Sequence, residues 1–182
     1  RPLSPYAVTK FVNELYADVF ARTYDFHSIG LRYFNVFGKR QDPEGAYAAV
    51  IPRWIGEMLE GKTPVIYGDG ETSRDFCYID NTVQANLLAA TTEEPDTLDK
   101  VYDVAFGQRT SLNELFEMIR YNLAEHNPSI EQMNALHGPF RKGDVRHSLA
   151  SIEKARNQLG YNPTYSISDG LRECKNWFID YL

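Results

Sequence analysis

The stretch SPYAVTKFVNELYADVFARTYDFHSIGLRYF, residues 4–34, joins a helix signal to a strand signal and decides the fold class. Apolar residues recur with helical spacing after Ser4, which suits an N-cap, and Pro5 stands where helices favour their first residue. These features predict a helix over about residues 6–24. Residues 28–34 are short, apolar and bounded by polar residues, which indicates a buried strand.

The rest of the chain alternates helices with short strands. Further helices are predicted over residues 50–60, 81–91, from 111 onward, 151–159 and 168–182, and further strands over residues 64–67, 76–79 and 101–105. Loops are expected over residues 35–38, 40–46 and 127–144, the last long enough to be a ligand loop. This order predicts an α/β fold with a largely parallel sheet. Only about four strands are visible, so the missing ones are expected upstream of Arg1.

Composition narrows the class of protein. The 182 residues are 43% apolar and 24% charged, which is typical of a globular domain, and the net charge of −6 disfavours a nucleic acid partner. The longest apolar run, residues 46–51, is far shorter than the ~18 residues of a membrane span. With no leader sequence at the start, we expect a cytoplasmic protein without a membrane partner. Cys77 and Cys174 form no ligand or pairing pattern and are expected to be reduced.

Tyr6 and Lys10 are the first residues that could carry chemistry. Their spacing of four places the phenol and the ammonium one turn apart on one helix face. A nearby cation stabilises phenolate, which is what a tyrosine requires to accept a proton near neutral pH. The pair alone could equally be a surface pair, so the surrounding motifs must decide.

Four motifs in order supply that context: SPYAVTK (4–10), LRYFNVFG (31–38), YGDGETSRDF (67–76) and RKGDV (141–145). Together they resemble the extended short-chain dehydrogenase/reductase family of nucleotide-sugar enzymes, most closely its bacterial UDP-N-acetylglucosamine 4-epimerase branch. The resemblance implies the C-terminal part of a Rossmann-type parallel-sheet domain plus a smaller mixed α/β substrate-binding domain. It also implies NAD as cofactor, a UDP-sugar substrate and C4 epimerisation of UDP-N-acetylhexosamines through a 4-keto intermediate.

The resemblance assigns roles to individual positions. Tyr6 matches the catalytic tyrosine, Lys10 the lysine that binds the nicotinamide ribose, and Tyr33 a residue of the nicotinamide pocket. On the substrate side the matching residues are Asn35 at the diphosphate or sugar, Tyr67 under uracil, Arg74 and Arg141 at the pyrophosphate, and Asp144 at the ribose. Planar guanidinium groups and a flat aromatic ring suit those partners.

Three small residues bear on the choice of sugar. Ser148 matches a position at which a bulky residue excludes an acetamido group, and Ala49 and Val50 match further substrate-side positions. Their size favours UDP-N-acetylhexosamines over plain UDP-hexoses.

Each assignment has a plainer alternative. The two arginines could be solvated, Tyr33 and Tyr67 could be core aromatics, Asp75 and Asp144 could only cap or orient backbone, and Ser148 could be an ordinary loop serine. The four histidines show no ligand spacing, so no metal site is predicted.

Two family features are absent from this sequence. No glycine-rich dinucleotide fingerprint occurs, since Gly68-Asp69-Gly70 lacks the last glycine, and the family's catalytic Ser or Thr would fall before Arg1. We therefore expect the C-terminal portion of an enzyme, inactive alone and homodimeric when intact. Residues 1–48 are expected to complete the NAD-binding domain. Residues 49–182 are expected to form mostly the nucleotide-sugar-binding domain, with 76–110 returning to the Rossmann sheet.

Other functions stay open at this point. Sibling enzymes of the family, such as a UDP-glucuronate epimerase, a dehydratase or a decarboxylase, share these motifs. A noncatalytic module for nucleotide-sugar binding or dimerisation belongs to a different class.

Overall fold

The computed structural model describes residue 2 and residues 4–44, 49–141 and 143–182. Across these residues the helices are α1 (Pro5–Tyr24), α2 (Val50–Leu59), α3 (Ile79–Thr91), α4 (Leu112–Ala124), α5 (Glu153–Leu159) and α6 (Ile167–Tyr181). The strands are β1 (Ile29–Tyr33), β2 (Asn35–Phe37), β3 (Val65–Tyr67), β4 (Ser73–Arg74), β5 (Phe76–Tyr78), β6 (Lys100–Val104), β7 (Thr110–Ser111) and β8 (Leu136–Gly138). Short 3-10 turns occupy Pro95–Thr97 and Pro128–Gln132.

Helix starts follow the capping chemistry of the sequence. The Ser4 hydroxyl accepts a hydrogen bond of 3.1 Å from a first-turn backbone N–H, and α1 begins where it was predicted. Ser111 and Glu114 form a reciprocal capping box at the start of α4, the helix predicted from residue 111 onward. A second box, Ser166 with Asp169, begins α6. The six predicted helices are therefore confirmed, and each helix end that was predicted lies within about two residues of the observed one.

The strands pair in twos, three pairs parallel and one antiparallel. The pairs β1–β6, β2–β5 and β3–β8 are parallel, while β4 and β7 run antiparallel. The α/β class with largely parallel strands is confirmed. The strand β1 pairs with β6, and β2 pairs with β5, so hydrogen bonds connect residues 29–37 to the segment 76–104.

The prediction of a loop after β1 is wrong. Residues 35–37 form β2, in which Asn35 aligns with Phe76 and Phe37 with Tyr78. Three residues are too few to show the alternation of apolar and polar residues that indicates a strand. In addition, β2 forms only by pairing with β5, some forty residues later in the chain. Gly38 then passes so close to α3 that a Cβ at this position would lie 2.5 Å from the Ile79 Cγ2 atom.

The strand count was also underestimated. The described residues hold eight strands rather than about four, and the extra ones (β2, β4, β7 and β8) are two or three residues long. The expected loop over residues 127–144 contains β8 and a 3-10 turn. The expected loop over 40–46 lies partly outside the described residues.

Two apolar clusters form the core. The larger gathers α2, α4 and α6 around Trp54, Phe116 and Phe178, with the Trp54 and Phe116 rings edge to face at 6.2 Å. The smaller surrounds Tyr102 of β6 and Tyr161, which follows α5. In contrast, α1 contributes no buried residue, so its apolar side chains lie on the surface of the chain.

Both cysteines, Cys77 and Cys174, are buried free thiols. Within the described ranges no helix is long and apolar enough to cross a bilayer. The same residues contain no cluster of His, Cys, Asp and Glu that could hold a metal ion.

Candidate active site

A cleft of about 220 Å³ brings together seven of the eight residues predicted on the substrate side. These residues are Asn35, Ala49, Val50, Tyr67, Arg74, Arg141 and Asp144. They come from five separate segments of the chain, so only the fold places them together. We refer to this space as the small cleft.

Two backbone features fix the floor and one wall of the small cleft. Asn35 is the first residue of β2, and its N–H donates to the Asp75 carbonyl at 3.2 Å. Ala49 and Val50 begin α2, with Ala49 in the N-cap position but without a capping side chain. Their small side chains therefore border the space where α2 starts.

Arg74 is the most firmly held cation of the small cleft. Its side chain is only 17% exposed, forms an ion pair with Asp144, and donates to the Ser73 carbonyl at 2.9 Å. A longer hydrogen bond of 3.4 Å reaches the Arg146 carbonyl. The plainer interpretation of Arg74 as a solvated surface residue is therefore wrong. Its position leaves it and Asp144 side by side on the cleft wall.

Tyr67 and Arg141 form a second pair in the small cleft. The Arg141 guanidinium lies 4.0 Å from the centre of the Tyr67 ring, within the range of a cation–π contact. Gly138, the register partner of Tyr67 in β8, passes so close that an added Cβ would lie 3.3 Å from the ring. The absence of a side chain at Gly138 leaves the ring room to lie flat between β8 and the cleft.

Ser148 does not line the small cleft. Its backbone N–H donates to the Ser73 carbonyl at 3.1 Å, so it runs beside β4, one residue from Arg74. Its side chain is half-buried. The structure thus places Ser148 near the cleft wall rather than in it.

The residues predicted for cofactor and proton transfer lie in a second, larger cavity of about 910 Å³. Tyr6, Lys10 and Tyr33 all line it, and the Lys10 Nζ lies 5.2 Å from the centre of the Tyr6 ring. The Tyr33 hydroxyl donates to Asn86 at 2.8 Å. Tyr6 is 71% exposed, so within this chain the cavity is open on the side of α1.

Val36 lines both the small cleft and the large cavity. The two spaces therefore border the same residue of β2, directly beside Asn35.

The large cavity gathers the residues predicted to contact NAD. Aromatic rings and an ammonium group line it, together with three carboxylates. The sequence offers no glycine-rich turn for the pyrophosphate at the other end. The described residues could hold the nicotinamide end, with Tyr6, Lys10 and Tyr33 around it.

Sequence reasoning missed Arg53 as a residue of the small cleft. It lies one turn beyond Ala49 and Val50 on α2, so helical spacing from those two positions could have found it. Its Nε is buried and has no hydrogen-bond partner among the residues that the structure describes, and the Glu57 carboxylate lies 3.7 Å away. Thr72 and Leu112 also line the small cleft, and no sequence signal pointed to them.

Comparison with proteins of known structure shows close likeness over the whole chain. The UDP-N-acetylglucosamine 4-epimerase of Methanobrevibacter ruminantium M1, solved with UDP-N-acetylmuramic acid, is 40% identical with a TM-score of 0.90. This chain is covered to 100% and that protein to 56%. The UDP-glucuronic acid 4-epimerase of Bacillus cereus, solved with UDP-glucuronic acid and NAD, is 30% identical with a TM-score of 0.84, at coverages of 100% and 55%.

Among curated sequences, a putative UDP-glucose 4-epimerase of Methanocaldococcus jannaschii is 35% identical over 177 residues, which are 97% of this chain and 54% of that protein. The chain thus spans about half the length of the relatives that it matches. Residues 1–105 match the NAD dependent epimerase/dehydratase family. Because that match covers more than half of the 182 residues, the chain belongs to the NAD dependent epimerase/dehydratase family.

Proposed function

We propose that the protein containing this chain is an NAD-dependent 4-epimerase of UDP-N-acetylhexosamines, converting UDP-N-acetylglucosamine and UDP-N-acetylgalactosamine through a 4-keto sugar. One observation carries the proposal: a single cleft gathers an aromatic ring, three arginines, an aspartate and an asparagine, and it shares the lining residue Val36 with the cavity of Tyr6 and Lys10. The likeness to a UDP-N-acetylglucosamine 4-epimerase at 40% identity supports the choice of sugar.

UDP would lie in the small cleft. Arg74 and Arg141 offer planar donors for the diphosphate oxygens, and Asp144 offers an acceptor for ribose hydroxyls. Tyr67 offers its ring face to the base. Since the Arg141 guanidinium lies over that ring in the structure, binding of the base on the same face would move Arg141 toward the phosphates.

Tyr6 would take the proton of the sugar 4-hydroxyl. The Lys10 ammonium lies on the same helix face, 5.2 Å from the centre of the Tyr6 ring. NAD, when bound, supplies the oxidation and the later reduction at C4. The sugar must turn between these two steps, and a UDP moiety held by several groups in the small cleft provides a fixed pivot.

Cleft size supports an N-acetylated sugar. Ala49 and Val50 border the small cleft with short side chains, which supports a substrate that carries the additional acetamido group. Ser148 supports this choice less directly, because it lies beside the cleft wall and not in it.

The test uses the complete protein, incubated separately with UDP-N-acetylglucosamine, UDP-glucose and UDP-glucuronic acid, with product separation by anion-exchange chromatography. We expect the galacto epimer from the first substrate, with kcat/KM at least about tenfold above that for the other two, which corresponds to ~1.4 kcal/mol. UDP binding with no epimerisation of any of the three would contradict the proposal. A preference for UDP-glucuronic acid would instead favour the activity named for the Bacillus cereus protein.

A noncatalytic nucleotide-sugar-binding role for this chain is the second candidate. The observation in its favour is that seven of the predicted substrate-side residues meet in the small cleft, whereas Tyr6, which lines the large cavity, is 71% exposed. Turnover by the complete protein would exclude this role.

We also propose that the intact protein forms a homodimer through α1. Phe11, Leu15 and Val19 follow one another along that helix, and each is between 43% and 50% exposed in this chain. A sedimentation measurement on the complete protein tests this. The domain division at residue 48 and the cytoplasmic location stay predictions from the sequence.

A further inference from the structure

Asp75 is a fully buried carboxylate outside the small cleft. It lies between β4 and β5 with 0% exposure. Its Oδ1 accepts hydrogen bonds from the N–H groups of Phe106 and Gly107 at 3.1 and 3.2 Å. Its Oδ2 accepts from Gly107 at 3.1 Å and from Ala150 at 3.2 Å. One side chain thus ties together three segments that are distant in sequence.

One of those segments, residues 144–150, carries Asp144 and Ser148, and we refer to it as the 144–150 arm. The arm runs along β4: the Ser73 N–H donates to the Arg146 carbonyl at 2.9 Å, and the Ser148 N–H donates to the Ser73 carbonyl at 3.1 Å. Arg74 holds the beginning of the arm through its ion pair with Asp144. Asp75 holds the end of the arm through Ala150.

Packing alone does not explain why the buried residue at position 75 carries a carboxylate. Burial raises the pKa of Asp75, opposed by hydrogen bonds from the backbone N–H groups of Ala150, Phe106 and Gly107. A buried ionisable group destabilises the fold unless its partners compensate it. No apolar side chain could accept these N–H groups, so the carboxylate is suited to holding backbone segments in place.

We propose that Asp75 is a positioning residue for the nucleotide site: by holding Ala150 and the 106–107 turn, it keeps the 144–150 arm on β4, with Asp144 beside Arg74 at the small cleft. The inference rests on the proposed function, because it assumes that UDP is the occupant of that cleft. Asp75 itself does not touch the cleft. Its effect should therefore appear in nucleotide affinity and not in the chemical step.

The test variant is Asp75→Asn in the complete protein. The amide keeps one oxygen but presents an NH₂ group where Oδ2 or Oδ1 accepted, so at least one of the backbone N–H groups of Ala150 and Phe106 loses its acceptor. We expect the Kd for UDP, measured by calorimetry, to rise about tenfold, equivalent to ~1.4 kcal/mol. The kcat at saturating UDP-N-acetylglucosamine should stay within about threefold of wild type, while KM rises with Kd.

Asn81→Asp is the matched control. Asn81 is also buried and also accepts from two backbone N–H groups, those of Thr164 and Tyr165, but it does not line the small cleft. It should lower the melting temperature without raising the Kd for UDP more than about twofold. If Asp75→Asn lowers the melting temperature as Asn81→Asp does and also leaves the Kd unchanged, the role is only structural and the proposal is wrong.

A measurement on wild type covers the case in which Asp75→Asn does not fold. Saturating UDP should slow hydrogen exchange of the Ser148 and Ala150 amides at least about tenfold, and leave those of Thr164 and Tyr165 unchanged. Equal exchange of the arm with and without UDP would overturn the proposal. Failure of wild type to bind UDP at all would instead contradict the proposed function, which separates the two outcomes.

Discussion

Replacing Arg74 by alanine should weaken UDP binding more than any other single change in the small cleft. Three guanidinium groups and one carboxylate line the described part of this cleft, which gives it a formal charge of +2. The change lowers that charge to +1. It also leaves Asp144 without its partner, facing the place where a diphosphate would bind.

The magnitude follows from those two losses. A hydrogen bond between charged groups contributes about 1.5–3 kcal/mol, and an unpaired carboxylate nearby adds repulsion of about 1 kcal/mol at a partly solvated site. We expect a loss of about 2.5–4 kcal/mol, which corresponds to a rise in Kd of roughly 70-fold to 1,000-fold. The free energy of unfolding should change by only about 1 kcal/mol, since Asp144 is partly exposed.

Calorimetric titration of UDP into the complete protein is the assay, with two further variants. Arg146→Ala is the matched control, because its half-exposed side chain pairs with Asp69 at 2.6 Å and does not line the cleft. It should raise the Kd no more than about twofold. Adding Asp144→Asn to Arg74→Ala should recover part of the lost affinity, since it removes the unpaired charge. A Kd within about threefold of wild type for a folded Arg74→Ala protein would refute the reasoning.

Three other outcomes are expected. Tyr6→Phe should lower kcat by about 10²–10⁴-fold with UDP affinity unchanged, since it removes the proton acceptor only, and steady-state kinetics with calorimetry test this. Gly38→Ala should lower the free energy of unfolding by about 1–3 kcal/mol, because the new methyl would lie 2.5 Å from Ile79, as denaturant titration would measure. A hydrogen bond with Asp99 raises the pKa of His27. This pair therefore stabilises the fold below the ordinary histidine pKa of about 6.5, and the stabilisation is lost as the pH rises through the pKa of the folded state. The variant His27→Asn should remove this pH dependence from the melting temperature measured in thermal melts.

The helices could be predicted from sequence because each carries its own signals. Ser4 with Pro5 and Ser111 with Glu114 mark helix starts by local chemistry that needs no tertiary partner. The shortest strands could not be predicted, because their existence depends on pairing. β4 has two residues and is defined by its contact with β7 and with the chain near His147. No window of sequence that short distinguishes a strand from a turn.

In the candidate site, too, some features could be predicted from sequence and others depend on the fold. Motif resemblance selected Arg74 and Arg141, but could not predict that one pairs with Asp144 and the other lies over Tyr67. Ser148 was also selected by resemblance. Its backbone pairs with Ser73 of β4, and its side chain does not line the small cleft; neither could be predicted without the path of the chain along β4.

The arrangement separates the proposed nucleotide site from the proposed site of chemistry within one chain. The small cleft is bordered by segments that the core holds: α2 packs on α4 and α6, and β4 is joined to both β7 and the 144–150 arm. The large cavity instead lies beside α1, which contributes no buried residue and leaves Tyr6 mostly exposed. The groups proposed to bind UDP are therefore fixed by contacts within these residues, whereas the spacing between Tyr6 and the cleft depends on how firmly α1 is held. It follows that changes along α1 should alter kcat at constant UDP affinity, and that changes along β4 should do the opposite.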